Sequence, residues 1–362
     1  MSKMALDYNA INLSQGFPDF NGPDELLSLV NHFITKGKNQ YAPMPGIPEL
    51  RFELSKKIEK LYNHKYNPDT EIIITAGATQ AIYTAITCCI HPGDEVILFE
   101  PAYDSYAPSV IINGGIPVFI PMGTADFFNY EAIQNAVNKK TRLIIINSPH
   151  NPTGRVINSA DLSFLEDITR AKDIFILSDE VYEHIVFDKK VHTSISQSPE
   201  LSKRSFVISS FGKTYHSTGW KIGYCSAPEN LAAEFKKVHQ FMLFAVNTPI
   251  QYAYAEFIKN DEHYLNLNNF YQQKRDYFLN NIKGSRFKYT LAEGTYFQLL
   301  DYSAISDIDD MAFAEFLTRN AGVVVIPLSP FYSSGYNGRQ IRICFAKKDE
   351  VILEACKRLL KV

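Results

Sequence analysis

Patterned cysteine is missing from this 362-residue chain. Its five cysteines, Cys88, Cys89, Cys225, Cys344 and Cys356, are odd in number, sit mostly in apolar runs and form no C-x-x-C. That excludes a disulfide scaffold and points to reduced core thiols in a cytoplasmic protein. The nine histidines include no H-E-x-x-H and no Cys/His cluster, so no metal site is expected. Net charge is −3 and no run of five or six like charges occurs, which leaves no electrostatic footprint for nucleic acid or an anionic membrane. No stretch approaches the ~18 consecutive apolar residues of a membrane span, and the opening MSKMALDYNAINLS lacks the basic-then-apolar order of a signal peptide. Internal repeats, low-complexity tracts and flexible linkers are also lacking. A small-molecule partner fits these absences.

What is present is an apolar chain, 46% hydrophobic, long enough for two domains. The segment from Ile11 to Phe20 is too rich in Gly and Pro for a helix and too apolar for a free tail. It reads as a docked arm in which Gly16 permits close backbone approach. Tyr41 sits in a Pro/Gly-punctuated loop before a helix near 48–62. Strand-then-helix units follow, with strands predicted at 72–75, 95–99, 116–120, 142–147, 173–178 and 205–209. This alternation predicts an α/β fold with a mostly parallel sheet covered on both faces by helices. Ligands of such sheets bind beyond the carboxyl ends of the strands. There the sequence places Gly77-Ala78-Thr79 at a helix start, suited to an anion, then Tyr103, Asn151 and the acid pair Asp179-Glu180, with Tyr182 three residues on.

The later chain changes character. A helix is predicted through the stripe Leu231, Phe235, Val238 and Met242, then helices around 248–259 and 262–282, strands at 286–291 and 295–301, a helix at 309–321, short strands at 323–326 and 340–345, and a final helix from 349. Antiparallel pairing about Glu293-Gly294-Thr295 suggests a second, smaller α+β domain.

The stretch SSFGKTYHSTGWKIGY, Ser209 to Tyr224, carries a lysine, Lys213, in a tight turn after an apolar run. It reads as an ordinary surface lysine, as the tail of a phosphate loop, or as a nucleophilic Schiff-base amine. The phosphate loop fails, because its first glycine would fall at Val207.

Taken together, NQYAPMPG, TAGAT, EPAYDSYAP, SPHNPTG, SDEVYEH, the Lys213 stretch and IRICFAKK resemble the pyridoxal-phosphate enzymes of the aspartate-aminotransferase fold (fold type I), class I aminotransferases. The likeness runs end to end and is strongest to the branch of methionine aminotransferases and kynurenine and glutamine transaminases. It implies an N-terminal arm with part of the small domain at 1–38, a large cofactor-binding domain at 39–278 and a small domain at 279–362.

The resemblance also implies roles. Lys213 would bind pyridoxal 5′-phosphate covalently and move the substrate proton, Asp179 would pair with the pyridine nitrogen, and Tyr182 and Asn151 would contact the phenolic oxygen. Tyr103 would cover the ring, while Ala78, Thr79, Ser210, Lys221 and, from a partner subunit, Tyr41 would hold the phosphate. That makes the protein a homodimer with shared sites. Arg342, with Asn151 and the Gly16 backbone alongside, would take the substrate carboxylate. Many relatives carry arginine where this chain has Lys221. Gln240 to Ile258 contains no arginine, so the expected donors are neutral: methionine, aromatic or kynurenine-like amino acids, with a 2-oxo acid acceptor. A cysteine-conjugate β-lyase shares the same cofactor contacts and stays open as an alternative. A non-catalytic effector-binding relative is disfavoured by the presence of Lys213, Asp179 and Arg342 together.

Overall fold

The computed structural model describes residues 1–123 and 126–362. Twelve strands organise it among the described residues: β1 Ile11–Asn12, β2 Ile72–Thr75, β3 Glu95–Glu100, β4 Ile116–Pro121, β5 Thr141–Asn147, β6 Phe175–Asp179, β7 Ser205–Ser210, β8 Gly223–Ser226, β9 Phe297–Asp301, β10 Val323–Val324, β11 Ile326–Pro327 and β12 Gln340–Cys344. The runs expected as strands in the first half become β2 to β7, each within two residues of its expected bounds.

Seven of these form one sheet in the order β2-β8-β7-β6-β5-β3-β4. Pairing is parallel from β4 through β7, and β8 runs antiparallel between β7 and β2. Alternate side chains build a core on each face. Val96, Leu98, Leu143, Ile145 and Leu177 pack with Ile82 and Ile86 of the helix Gly77–Cys89, while Ile97, Ile144, Ile146 and Ile176 pack with Leu162 and Leu165 of the helix Ser159–Thr169. Because both faces are buried, the strands read as continuous apolar runs, and each such side chain contributes about 1.5–3 kcal/mol.

Strand β8 was not expected, since Gly-Tyr-Cys-Ser lacks a β-branched run. Its small residues answer a packing demand: a Cβ on Gly223 would lie 2.7 Å from the Ser209 carbonyl and 3.0 Å from the Ala78 nitrogen. The glycine therefore lets the start of the Gly77–Cys89 helix sit directly on the sheet.

The second half departs from expectation in specific places. Residues 286–291 form no strand beyond a single bridge between Lys288 and Asp301. A side chain takes the place of a ladder there: Gln298 donates to the Thr290 carbonyl at 2.7 Å and accepts from the Ala292 N–H at 3.2 Å. Strand β9 pairs instead with β12, which also pairs with β11, all antiparallel. Nor is there a hairpin at 293–295, because Gly294 bridges Val186, and a Cβ on it would lie 2.7 Å from the Ile185 carbonyl. The run 323–326 divides, with Val323–Val324 pairing in parallel with the arm strand β1 and Ile326–Pro327 joining β12. The arm is stitched down further by the Cys344 N–H, which donates to the Leu13 carbonyl at 2.8 Å. No helix among the described residues is long and apolar enough to cross a membrane.

Candidate active site

Strands β2, β3, β5, β6 and β7 end at one edge of the large sheet, and the loops beyond them meet the arm and the small sheet around a cavity of 220 Å³. Gly16, Ala78, Thr79, Tyr103, Asn151, Asp179, Tyr182, Lys213 and Arg342 all line it. A larger cleft of 960 Å³, beside Glu100, Lys288 and Tyr336, has no fully buried titratable group on its walls among the described residues.

Asp179 is the last residue of β6, in register between Asn147 of β5 and Ile208 of β7. Its carboxylate is buried, accepting from the Tyr106 hydroxyl at 2.6 Å. Burial pushes its pKa up to about 6, against the opposing pull of that hydrogen bond and of Lys213. A buried carboxylate in this state gains from any cation placed beside it. Its neighbour Glu180 turns the other way, where Ser178, His192 and the Ile195 N–H saturate it. The Glu183 N–H bonds the Glu180 carbonyl at 2.9 Å, and that turn brings Tyr182 round to the same cavity as Asp179.

Lys213 lies in a single helical turn, Phe211–Thr214, that follows β7 directly. Its Nζ donates to the Tyr296 hydroxyl at 2.9 Å and to the Gly16 carbonyl at 3.1 Å. Burial lowers its pKa to about 8, with Arg342 and Lys221 adding to the effect and Asp179 opposing it. The amine is still mostly protonated near pH 7, but its neutral fraction, about a tenth, is far larger than an ordinary lysine's and is the form that serves as nucleophile or proton acceptor.

Arg342, from β12, is buried between the rings of Phe297 and Phe331, whose centroids lie 3.9 and 5.2 Å from its guanidinium carbon. One terminal nitrogen donates to Asn151 Oδ1 at 2.6 Å and the other to the Ser14 carbonyl at 3.3 Å. Its Nε is buried without a partner among the described residues. An unmatched donor on a buried cation is costly unless an anion visits it.

Three expected residues stand apart from this cavity's walls. Ser210 is buried just ahead of the Lys213 turn. Lys221 is exposed, in a left-handed conformation with φ of 55°, and its Nζ lies 3.6 Å from where a Gly77 Cβ would be, at the start of the Gly77–Cys89 helix. Tyr41 is 83% exposed, with its ring edge-on to Phe244. In turn, Tyr106, Asn147, Tyr296 and Phe297 belong to the site without having been foreseen. The Tyr103/Tyr106 spacing was visible, but Tyr106 acquires a role only because its hydroxyl meets a carboxylate 73 residues away.

The model for "Aminotransferase class I and II" matches residues 8–359. Over 361 residues the chain is 47% identical to the methionine aminotransferase of Escherichia coli, covering 99% of this chain and 94% of that one. It is 33% identical to the kynurenine–oxoglutarate transaminase of Dictyostelium discoideum, covering 100% and 92%. The fold superposes on the solved structure of YbdL from Escherichia coli, for which a methionine aminotransferase function is described, with a TM-score of 0.97, 46% identity and coverage of 100% and 95%. With this geometry and these likenesses, the chain belongs to the class I and II aminotransferases, on the aspartate-aminotransferase fold.

Proposed function

We propose that this aminotransferase exchanges the amino group of a neutral L-amino acid, methionine or an aromatic or kynurenine-like donor, with a 2-oxo acid through bound pyridoxal 5′-phosphate in a two-stage, ping-pong cycle. The observation that carries the reading is the convergence of a half-buried lysine amine, a buried carboxylate and an arginine with an unmatched Nε on one cavity.

The residues present fit the cofactor. Asp179 is a buried carboxylate in want of a cation, which a protonated pyridine nitrogen supplies. Gly77, at φ 76°, opens a helix whose first N–H groups are free for a phosphate, with the Lys221 cation beside it. Ala78, Thr79 and Ser210 would complete that grip, Tyr103 would cover the ring, and Asn151 and Tyr182 would bond its phenolic oxygen. When bound, the cofactor supplies an electron sink for the substrate α-carbon. The protein's own work would then be to hold the substrate carboxylate on Arg342, to set the Asp179 carboxylate where it meets the pyridine nitrogen, and to take and return the α-proton at Lys213 Nζ. A positioned proton transfer of this kind is worth roughly 10²–10⁴-fold.

Neutral donors are favoured by the non-polar wall of Ile82, Val181 and Phe297 and by the lack of arginine in 240–258. The similarity to the E. coli methionine aminotransferase and to a kynurenine transaminase points the same way. The homodimer is part of the proposal: Tyr41, Phe241 at 87% exposure and the following Met242, Leu243 and Phe244 form an apolar cluster on this chain, which a second copy would cover. Tyr41 would then complete the partner's phosphate site. Residues 39–278 act as the large unit, with 1–38 and 279–362 as the small one, and the enzyme works in the cytoplasm.

Lys213→Ala tests the core of this reading. The variant should retain non-covalent cofactor binding and lose covalent attachment and turnover, whereas normal turnover would sink the assignment. Single-turnover rates across the neutral amino acids then rank the donors, and acidic donors turning over faster than methionine would overturn the substrate class.

A further inference from the structure

Tyr296 is fully buried, and its hydroxyl stands where three separate parts of the chain meet. It donates to the Gly16 carbonyl at 2.5 Å and accepts from Lys213 Nζ at 2.9 Å, while the same Nζ donates to Gly16 at 3.1 Å. The arm, the loop after β7 and the approach to β9 thus share one cluster of hydrogen bonds. The ring is fenced by Tyr182, Phe297 and Tyr271, with centroids 5.1, 4.9 and 5.7 Å away, so the hydroxyl is held in place. Gly16 makes the close approach possible, since a Cβ there would lie 2.7 Å from the Phe297 ring.

This arrangement has a chemical consequence. The single proton of the Tyr296 hydroxyl is committed to Gly16, so towards the amine that oxygen can only accept. A neutral amine that gives two N–H groups to Tyr296 and Gly16 keeps one tetrahedral position, its lone pair, for the cavity. An unrestrained lysine head would sample many directions on a stem with about 2 kcal/mol of rotamer entropy. Groups that move protons work best when held within about 0.5 Å of productive geometry.

We propose that Tyr296 is a positioning residue that holds the free Lys213 amine in one orientation, and that the Gly16 carbonyl shares this task, coupling the seating of the arm to the readiness of the amine. This rests on the reading of Lys213 as the cofactor lysine. The competing view is that the Tyr296 hydroxyl merely satisfies a buried arm carbonyl.

The test is the ionisation of Lys213 in the full-length chain freed of cofactor, read by trace acetic-anhydride labelling across pH with peptide mass analysis. Tyr296→Phe removes an acceptor that favours the ammonium, so the Lys213 labelling midpoint should fall by about one pH unit. Tyr271→Phe, which keeps a ring against Tyr296 and alters no contact of Lys213, should leave the midpoint in place. In the loaded enzyme Tyr296→Phe should lower kcat by at least tenfold with KM nearly unchanged. A folded Tyr296→Phe chain with an unmoved midpoint overturns the proposal. So does a Tyr296→Phe chain that fails to fold, which would assign the hydroxyl to structure alone. Borohydride reduction of the cofactor-loaded wild type followed by peptide mapping checks Lys213 separately. Label on another lysine defeats the functional reading, whereas label on Lys213 with an unmoved midpoint defeats only the role of Tyr296.

Discussion

Replacing Arg342 by alanine should cost every amino donor nearly the same amount. The guanidinium offers a carboxylate two donors, the unmatched Nε and the nitrogen held only at 3.3 Å from Ser14. Hydrogen bonds between charged groups are worth about 1.5–3 kcal/mol each, so two of them come to about 3–6 kcal/mol. At ~1.4 kcal/mol per decade, kcat/KM should fall on the order of 10²–10⁴-fold. The loss should appear chiefly in KM, since the carboxylate is bound alike before and during proton transfer. The assay compares methionine, phenylalanine and tyrosine with methionine amide, which lacks the carboxylate. Arg342→Ala should be slower than wild type on all three acids and within about threefold of it on the amide, because an anchor with nothing to hold contributes little. Arg342→Lys should fall between, since it restores charge without the planar fork. Melting temperatures must be compared as well, because the substitution also removes the donor to Asn151 and the cation between Phe297 and Phe331. An equal loss on acid and amide, or a loss confined to one donor, would refute the carboxylate role.

Asp179→Asn should change how the cofactor-free protein responds to pH. Burial raises the folded carboxyl to about 6 from the ordinary aspartate value of 3.8, so the native state binds the extra proton and wild-type stability declines as pH rises between these values. The difference corresponds to about 3 kcal/mol, and the asparagine variant should lose this slope in denaturant titrations at pH 4 and 7; an unchanged slope would show that the burial penalty is not felt. Lys221→Met should raise the dissociation constant for pyridoxal phosphate about tenfold, as expected for losing one partly exposed charge contact, while kcat at saturating cofactor stays within about threefold. A collapse of kcat would give Lys221 a chemical role. Lys57→Met removes the ammonium 2.8 Å from Glu183, a carboxylate whose tendency to rise on burial is overcome chiefly by Lys57. Leaving that charge buried and unpaired should destabilise the protein by about 3–5 kcal/mol, measurable by chemical denaturation, and a loss below about 1 kcal/mol would show that the remaining donors suffice.

Six of the seven strands of the large sheet, all but β8, were legible because burial writes itself as uninterrupted aliphatic runs such as Ile72-Ile73-Ile74 and Leu143-Ile144-Ile145-Ile146. The small sheet was legible only in part. Gln298 replaces a strand ladder with its side chain, and Gly294 spends its backbone on Val186, neither of which leaves a local pattern. The site divides along the same line. Lys213 and Asp179 stood out locally, as a lysine in a tight turn after an apolar run and an acid at a strand end, whereas Arg342 was named only through the family resemblance. Tyr296 and Phe297 read as ordinary strand aromatics, and their part in the site exists only in company.

By itself the sequence determined the residue types and their order: an alternating α/β chain, a lysine after an apolar run, an acid at a strand end, an arginine in a late strand. These survive as local signals because strand periodicity and the demands of a covalent amine, a buried carboxylate and a fixed cation each act on a few neighbouring residues. Tertiary structure alone decided that Lys213 would meet Gly16 and Tyr296, that Tyr106 would reach Asp179, and that Arg342 would lie between two rings with one donor unspent. The reason is physical. Perturbed ionisation and unmatched hydrogen bonds come from burial, and burial is set by segments up to hundreds of residues apart that become neighbours only when the sheets and the arm close on one another.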